Sequence, residues 1–64
     1  MTVYVVVVRD ARGAYVAEVT ASRSVAEDAA RLAVLPWNLE TPDVFRCVDD
    51  LSRHAMITEH DVQA

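Results

Sequence analysis

The chain contains no lysine, one glycine and one cysteine, and each shortage removes a class of chemistry. Without lysine there is no Schiff-base amine and no P-loop lysine. A single glycine leaves nothing from which to build a phosphate-cradling loop. The lone Cys47 has no partner for an intramolecular disulfide and fits a reducing compartment. Long apolar runs are missing too. The longest, Val3 to Val8, falls far short of the ~20 residues that a membrane-spanning helix needs. Nothing basic precedes it and no cleavage pattern follows, so no signal peptide is expected. The expectation is a soluble, cytoplasmic protein without membrane association.

What is present is a small apolar chain with an uneven charge. Sixty-four residues make one domain, 1–64, and a domain of this size hides only about 60% of the surface its unfolded form exposes. With no disulfide to staple it, self-association is the natural extra support. Hydrophobic residues make up 53% of the chain, which excludes disorder over most of its length. The net charge is −4, and all six basic residues are arginine. Residues 1–24 hold three arginines against Asp10 and Glu18, whereas residues 25–64 hold three arginines against eight acids. Direct nucleic-acid binding through the second half is therefore disfavoured, and a basic protein surface is the better electrostatic match.

The strand signal is strongest in TVYVVVVR, residues 2–9, which is β-branched or aromatic almost throughout. Apolar residues at both parities suit a central strand covered on both faces. DARG (10–13) is a turn, and AYVAEVTA (14–21) returns as a second strand. Along it Tyr15, Ala17, Val19 and Ala21 alternate with Val16, Glu18 and Thr20. A helix follows over 24–36: Ser24 and Glu27 read as a capping box, Asp28 places negative charge in the first turn, and Pro36 ends it. Its spacing turns Glu27, Asp28 and Arg31 outward and Val25, Ala29, Leu32 and Ala33 inward. WNLE (37–40) is a connector whose Trp37 is expected to close the core.

Residues 40–61 admit two readings. As a hairpin, 43–49 and 53–59 would pair, but Val44, Phe45, Cys47 and Val48 then fall on both faces and no glycine marks the turn. As a helix, Thr41 is the N-cap, Pro42 takes the first position and Asp43 the first turn. Val44, Val48, Leu51 and Ala55 then share a stripe, with Arg46/Asp50 and Asp49/Arg53 as opposite charges four apart. The helical reading fits better and is followed by a short strand over 55–62 lying beside the first. The expected fold class is α+β: an antiparallel sheet in the order β-β-α-α-β with two helices on one face. The alternative is β-β-α-β-β.

No catalytic constellation emerges. Cys47, His54 and His60 make a scattered set where structural zinc wants four ligands in close pairs, so neither metal nor cofactor is expected. Asp50, Ser52 and His54, two apart on a helix, project to different faces and are no triad. The adjacent carboxylates Glu27-Asp28 and Asp49-Asp50 read as solvated helix surfaces. A non-enzymatic protein is expected. Its candidate partner-binding residues are the acids of the two helices, Glu27, Asp28, Asp43, Asp49 and Asp50, which side-by-side helices would lay on one outer surface.

Two resemblances bear on function. VYVVVV…AYVAEVTASRSVAEDAARLA resembles the strand-strand-helix opening of HicB-type antitoxins, without the Pro- and Gly-rich segment that those carry between strand and helix. The whole chain is also similar in size, acidity and expected element order to small phage-encoded anti-CRISPR proteins. These include an acidic type I-F inhibitor that sits in the DNA-binding surface of the surveillance complex. The second resemblance implies an acidic protein-binding module that occludes a basic nucleic-acid-binding surface of its target. The first implies an antitoxin or small regulator, and the Val-rich first strand, which needs cover on both faces, suits a homodimer formed through it.

Overall fold

The Val-rich opening stretch becomes the second of five strands in one antiparallel sheet. A computed structural model of the chain describes residues 1–63. The elements run β1 (Thr2–Asp10), β2 (Gly13–Thr20), α1 (Arg23–Ala33), β3 (Trp37–Thr41), β4 (Val44–Cys47) and β5 (His54–Asp61). In space the strands lie in the order β2-β1-β5-β4-β3. As the parity of its side chains predicts, β1 is flanked on both sides, by β2 and by β5.

The β1–β2 hairpin turns over Ala11 and Arg12, with the Asp10 carboxylate accepting from the Arg12 N–H at 2.8 Å. Gly13 closes the turn at φ +146°, a region that side-chain-bearing residues avoid. Further along, the register slips: Val6 lies opposite Glu18, but Val7 lies opposite Val16. Ala17 is the extra residue of a β-bulge. The bulge overrides the simple alternation expected for β2, because Val16 and Val19 now sit opposite Val7 and Val5, on the same face.

The helix is shorter than 24–36 and is capped differently. Ser22 is the N-cap, its hydroxyl accepting from the Val25 N–H, and no acid occupies the first turn. Ser24 lies inside the helix and Asp28 in its second turn, so the Ser24/Glu27 capping box does not form. Ala26, Ala30 and Val34 are the buried residues, with Ala29 and Ala33 beside them. Val25 and Leu32 point outward, Leu32 at 72% exposure. The alanines bring the helix backbone close to the sheet, and that proximity selects the inward stripe.

The second helix expected over 41–54 is absent. The segment is the β3–β4 hairpin, a loop, and the start of β5, so the fold is β-β-α-β-β-β with one helix. This is the hairpin alternative, extended by a further strand drawn from the connector. Thr41-Pro42-Asp43 serves as a turn instead of an N-cap: Thr41 Oγ1 accepts from the Asp43 N–H at 3.2 Å, and Thr41 pairs with Val44. Pro42 at the second turn position is as favourable there as at the start of a helix. Phe45 and Cys47 point into the core, while Val44 and Arg46 take the opposite face. That opposite face is itself apolar, which hides the two-residue period. The next loop is closed by Asp50 Oδ1, which accepts from the Ser52 N–H at 3.1 Å and its hydroxyl at 2.6 Å.

The core lies between α1 and one face of the sheet: Val6, Val8, Phe45, Cys47, Ala55 and Ile57 against Ala26, Ala30 and Val34. Phe45, 1% exposed, is its only fully buried aromatic ring. Trp37 packs edge-on to it at 5.5 Å but stays 38% exposed, so it borders the core and does not fill it. Replacing Phe45 by Ala should cost about 3–5 kcal/mol, comparable to the whole stability of a domain this small. F45A should accordingly lose its cooperative thermal transition in circular dichroism. Gly13→Ala meets no atom within 4 Å and should cost only the backbone strain, about 1–2 kcal/mol, with an unchanged spectrum.

Candidate functional site

Residues directly opposite one another in a sheet share a face, so the strand registers define what lies on the side away from α1. The row through β1 is Val3, Val5, Val7 and Arg9. Beside it on β5 are His60, Thr58, Met56 and His54, and on β2 Val19 and Val16. On β4, Val44 lies next to Met56 and Arg46 next to His54. Val16 and Val19 are each 59% exposed and Met56 41%. The apolar side chains of this face thus form a continuous surface that no helix or strand among the described residues covers. A sheet face of this composition ordinarily packs on something.

The charged groups of this face stand mostly at one end, where Arg9, His54 and Arg46 line up across three neighbouring strands. Arg46 is already engaged: its guanidinium donates to Glu40 Oε2 at 2.9 Å and to the Leu51 carbonyl at 2.6 Å. His54 Nδ1 is buried without a hydrogen-bond partner. Glu40, bound to Arg46, is the carboxylate associated with this side of the sheet.

The five acids singled out from the sequence fall into separate groups. Glu27, Asp28 and Asp43 come together around two arginines. Arg23 donates to Asp43 Oδ1 at 2.8 Å and to Glu27 Oε2 at 3.4 Å, and also to the Pro42 carbonyl at 2.8 Å. Arg31 reaches Asp28 at 3.1 Å and Glu27 at 4.0 Å, with its guanidinium over both Trp37 and Phe45. Arg23 also stacks on Tyr4 at 5.8 Å. This cluster ties the helix to the β3–β4 turn. Three carboxylates share two guanidinium groups, so little free negative charge remains there. The Asp43 hydrogen bond, followed by that of Glu27, holds the Arg23 guanidinium above its ordinary value despite some desolvation.

Asp49 and Asp50 lie elsewhere, in the loop between β4 and β5. Asp50 is a turn residue. The Ser52 hydroxyl, then the Ser52 N–H, hold its carboxyl below the usual aspartate value. Arg53 nearby pairs with Asp10 at 3.6 Å and donates to the Ala33 carbonyl at 2.8 Å. With one helix in place of two, the five acids do not form a joint ridge. The other polar sets also resolve into structure. Cys47 is buried on the helix side with its thiol toward the Leu35 carbonyl at 3.7 Å, whereas His54 and His60 take the opposite face. Ser52 donates to Asp50 within a turn and is not linked to His54.

Two open hollows lie at the surface. One, of about 250 Å³, lies along β3, β4 and the following loop and is lined by Leu39, Glu40, Arg46, Val48 and Leu51 among others. Its charged pair is self-neutralised. The second, about 320 Å³, lies among Asp10, Arg12, Asp50 and Arg53 at the turn end of the sheet. Both are open, and neither presents a convergent set of polar groups of the kind that orients a small ligand. No helix among the described residues is long and apolar enough to cross a membrane.

No protein-family model matches this chain, and no curated protein or solved structure matches it significantly.

Sequence reasoning named the Val-rich first strand as a dimer contact but not the wider apolar face to which it belongs. Its signal is present in the odd-numbered valines of β1, but Val16, Val19 and Val44 join that face only through the bulge and the β3–β4 hairpin. Two outcomes follow from the charge geometry. Arg23→Ala should lower stability by about 1 kcal/mol, discounted because the side chain is a third exposed, or several degrees in melting temperature for a domain of this size. Asp50, with its lowered folded value, supports the fold above the ordinary aspartate range and loses that support as pH falls through the folded value. Asp50→Asn should therefore show a smaller drop in melting temperature between neutral and acidic pH than the parent chain.

Proposed function

We propose that this chain is a non-enzymatic protein-binding module whose contact surface is the open face of the sheet. The observation that carries this reading is the sheet face turned away from the helix, where Val16, Val19 and Met56 are exposed and Val3, Val5, Val7 and Val44 half-buried. An apolar centre with arginine and histidine at its edge has the composition of a protein contact surface. The side chains of Asp10, Asp43, Asp50 and Arg53 are engaged in closing the fold, which supports a binding role for this chain over a catalytic one.

An inhibitor that occludes a basic nucleic-acid-binding surface keeps the net charge of −4 as its support. It loses the paired helical ridges on which its residue assignment rested. A small regulator dimerising through its Val-rich first strand draws on the same open face as the present reading.

Affinity capture from a lysate of the source cells separates these readings. The baits are the parent chain, a Val16→Glu/Val19→Glu variant and an Asp28→Arg/Asp49→Arg variant. The expected outcome is that specific captured protein falls at least about tenfold with the first variant and is retained with the second. Capture unaffected by Val16→Glu/Val19→Glu refutes the sheet-face module. Salt-sensitive capture lost only with Asp28→Arg/Asp49→Arg puts the contact on the acidic side instead.

A further inference from the structure

We infer that the open face of the sheet is covered by the same face of a second copy of this chain, forming a two-layer β-sandwich with the helices outermost. This rests on the sheet-face reading above and names its occupant.

Three observations select a second copy. The first is area. Strands are about 4.8 Å apart with a rise of about 3.3 Å per residue, so strands of the lengths seen here present about 500 Å² per copy. Two copies together reach about 1,000 Å², the lower limit for a biological interface. The second is charge. A chain of net charge −4 resists meeting itself unless its acids are kept from the contact. On this face Glu40 is neutralised by Arg46, while Glu18, Glu59 and Asp61 lie opposite Val6, Tyr4 and Thr2, on the helix side. The third is the condition of the edges. The edge strand β2 carries the bulge at Ala17, and the edge strand β3 is five residues long and runs into Pro42. Both devices discourage edge-to-edge strand addition, whereas the centre of the open face carries no charge to oppose face-to-face contact.

The packing is of a familiar physical kind. Two β faces stack about 10 Å apart with their strands roughly aligned, and β-branched side chains interdigitate across the gap. The patch is neutral at its centre, around Val5, Val7 and Met56, so it is compatible with itself under a two-fold rotation. Arg9 stands exposed at the margin with the half-buried His54 beside it. A second sheet would also provide what a 64-residue chain with nine buried core residues lacks, a second layer of apolar burial.

Sedimentation equilibrium over a wide concentration range tests this on the full chain. The parent should be a dimer that dissociates on dilution. Val16→Glu/Val19→Glu should weaken association at least about 100-fold, because each copy would bury unpaired carboxylates, while far-UV circular dichroism stays unchanged. Leu32→Glu, on the outer side of the helix, should remain dimeric. A parent that is monomeric throughout overturns the inference. If capture is then still lost with Val16→Glu/Val19→Glu, the module reading stands with a different partner on the face. A dimer broken by Leu32→Glu and insensitive to the valine changes also overturns it. Should the valine variant fail to fold, intermolecular nuclear Overhauser effects in mixed-label parent chain decide. Cross-peaks joining Val5, Val7 and Met56 of different copies support the sandwich, and their absence refutes it.

Discussion

Everything in this fold depends on β1 being paired along both edges while carrying apolar side chains on both faces. Pairing with β2 and β5 satisfies its backbone, so the strand is fixed in the middle of the sheet regardless of what lies above or below. Its side chains then make two demands. Tyr4, Val6 and Val8 are met by a helix rich in alanine, which approaches closely because its contact residues are small. Val3, Val5 and Val7 receive no such cover. One helix for two apolar faces is the imbalance from which the proposed role arises.

The arginines show how the rest of the chain serves the covered side. Arg23 and Arg31 each gather carboxylates and an aromatic ring, clamping the helix to β1 and to the β3–β4 hairpin. Arg53 spans from the Ala33 carbonyl at the end of the helix to Asp10 at the β1–β2 turn. The guanidinium, planar and with five N–H donors, suits contacts that combine carboxylates, a carbonyl and a ring face. The total absence of lysine therefore has little structural cost here. Asp10, Glu27, Asp28 and Asp43 are engaged in these clamps, which is why net charge alone is a poor guide to where a partner would bind.

Several features are legible in the order of residues alone. The first hairpin, its Asp10-to-Gly13 turn, the helix after it and a late strand returning beside the first all rest on local patterns strong enough to survive tertiary packing. The departures share one cause. Ser24 with Glu27 matches a capping box, yet Ser22 stands at the true boundary. Thr41-Pro42-Asp43 matches a helix start, yet the same three residues make an equally good turn. In each case the local chemistry permits two structures, and nothing within a few residues distinguishes them.

The sequence by itself determined the first hairpin, the central place of β1 and the chemistry the chain lacks, because these depend on residue type and on a period repeated over many positions. The tertiary structure alone decided that residues 44–47 extend along β5, that the bulge at Ala17 turns Val16 and Val19 toward Val7 and Val5, and that the candidate acids part into separate groups. These outcomes turn on strand register between segments far apart in the chain, where a shift of one residue exchanges the two faces of a sheet. When both faces are apolar, hydrophobic pattern carries no information about which register is right.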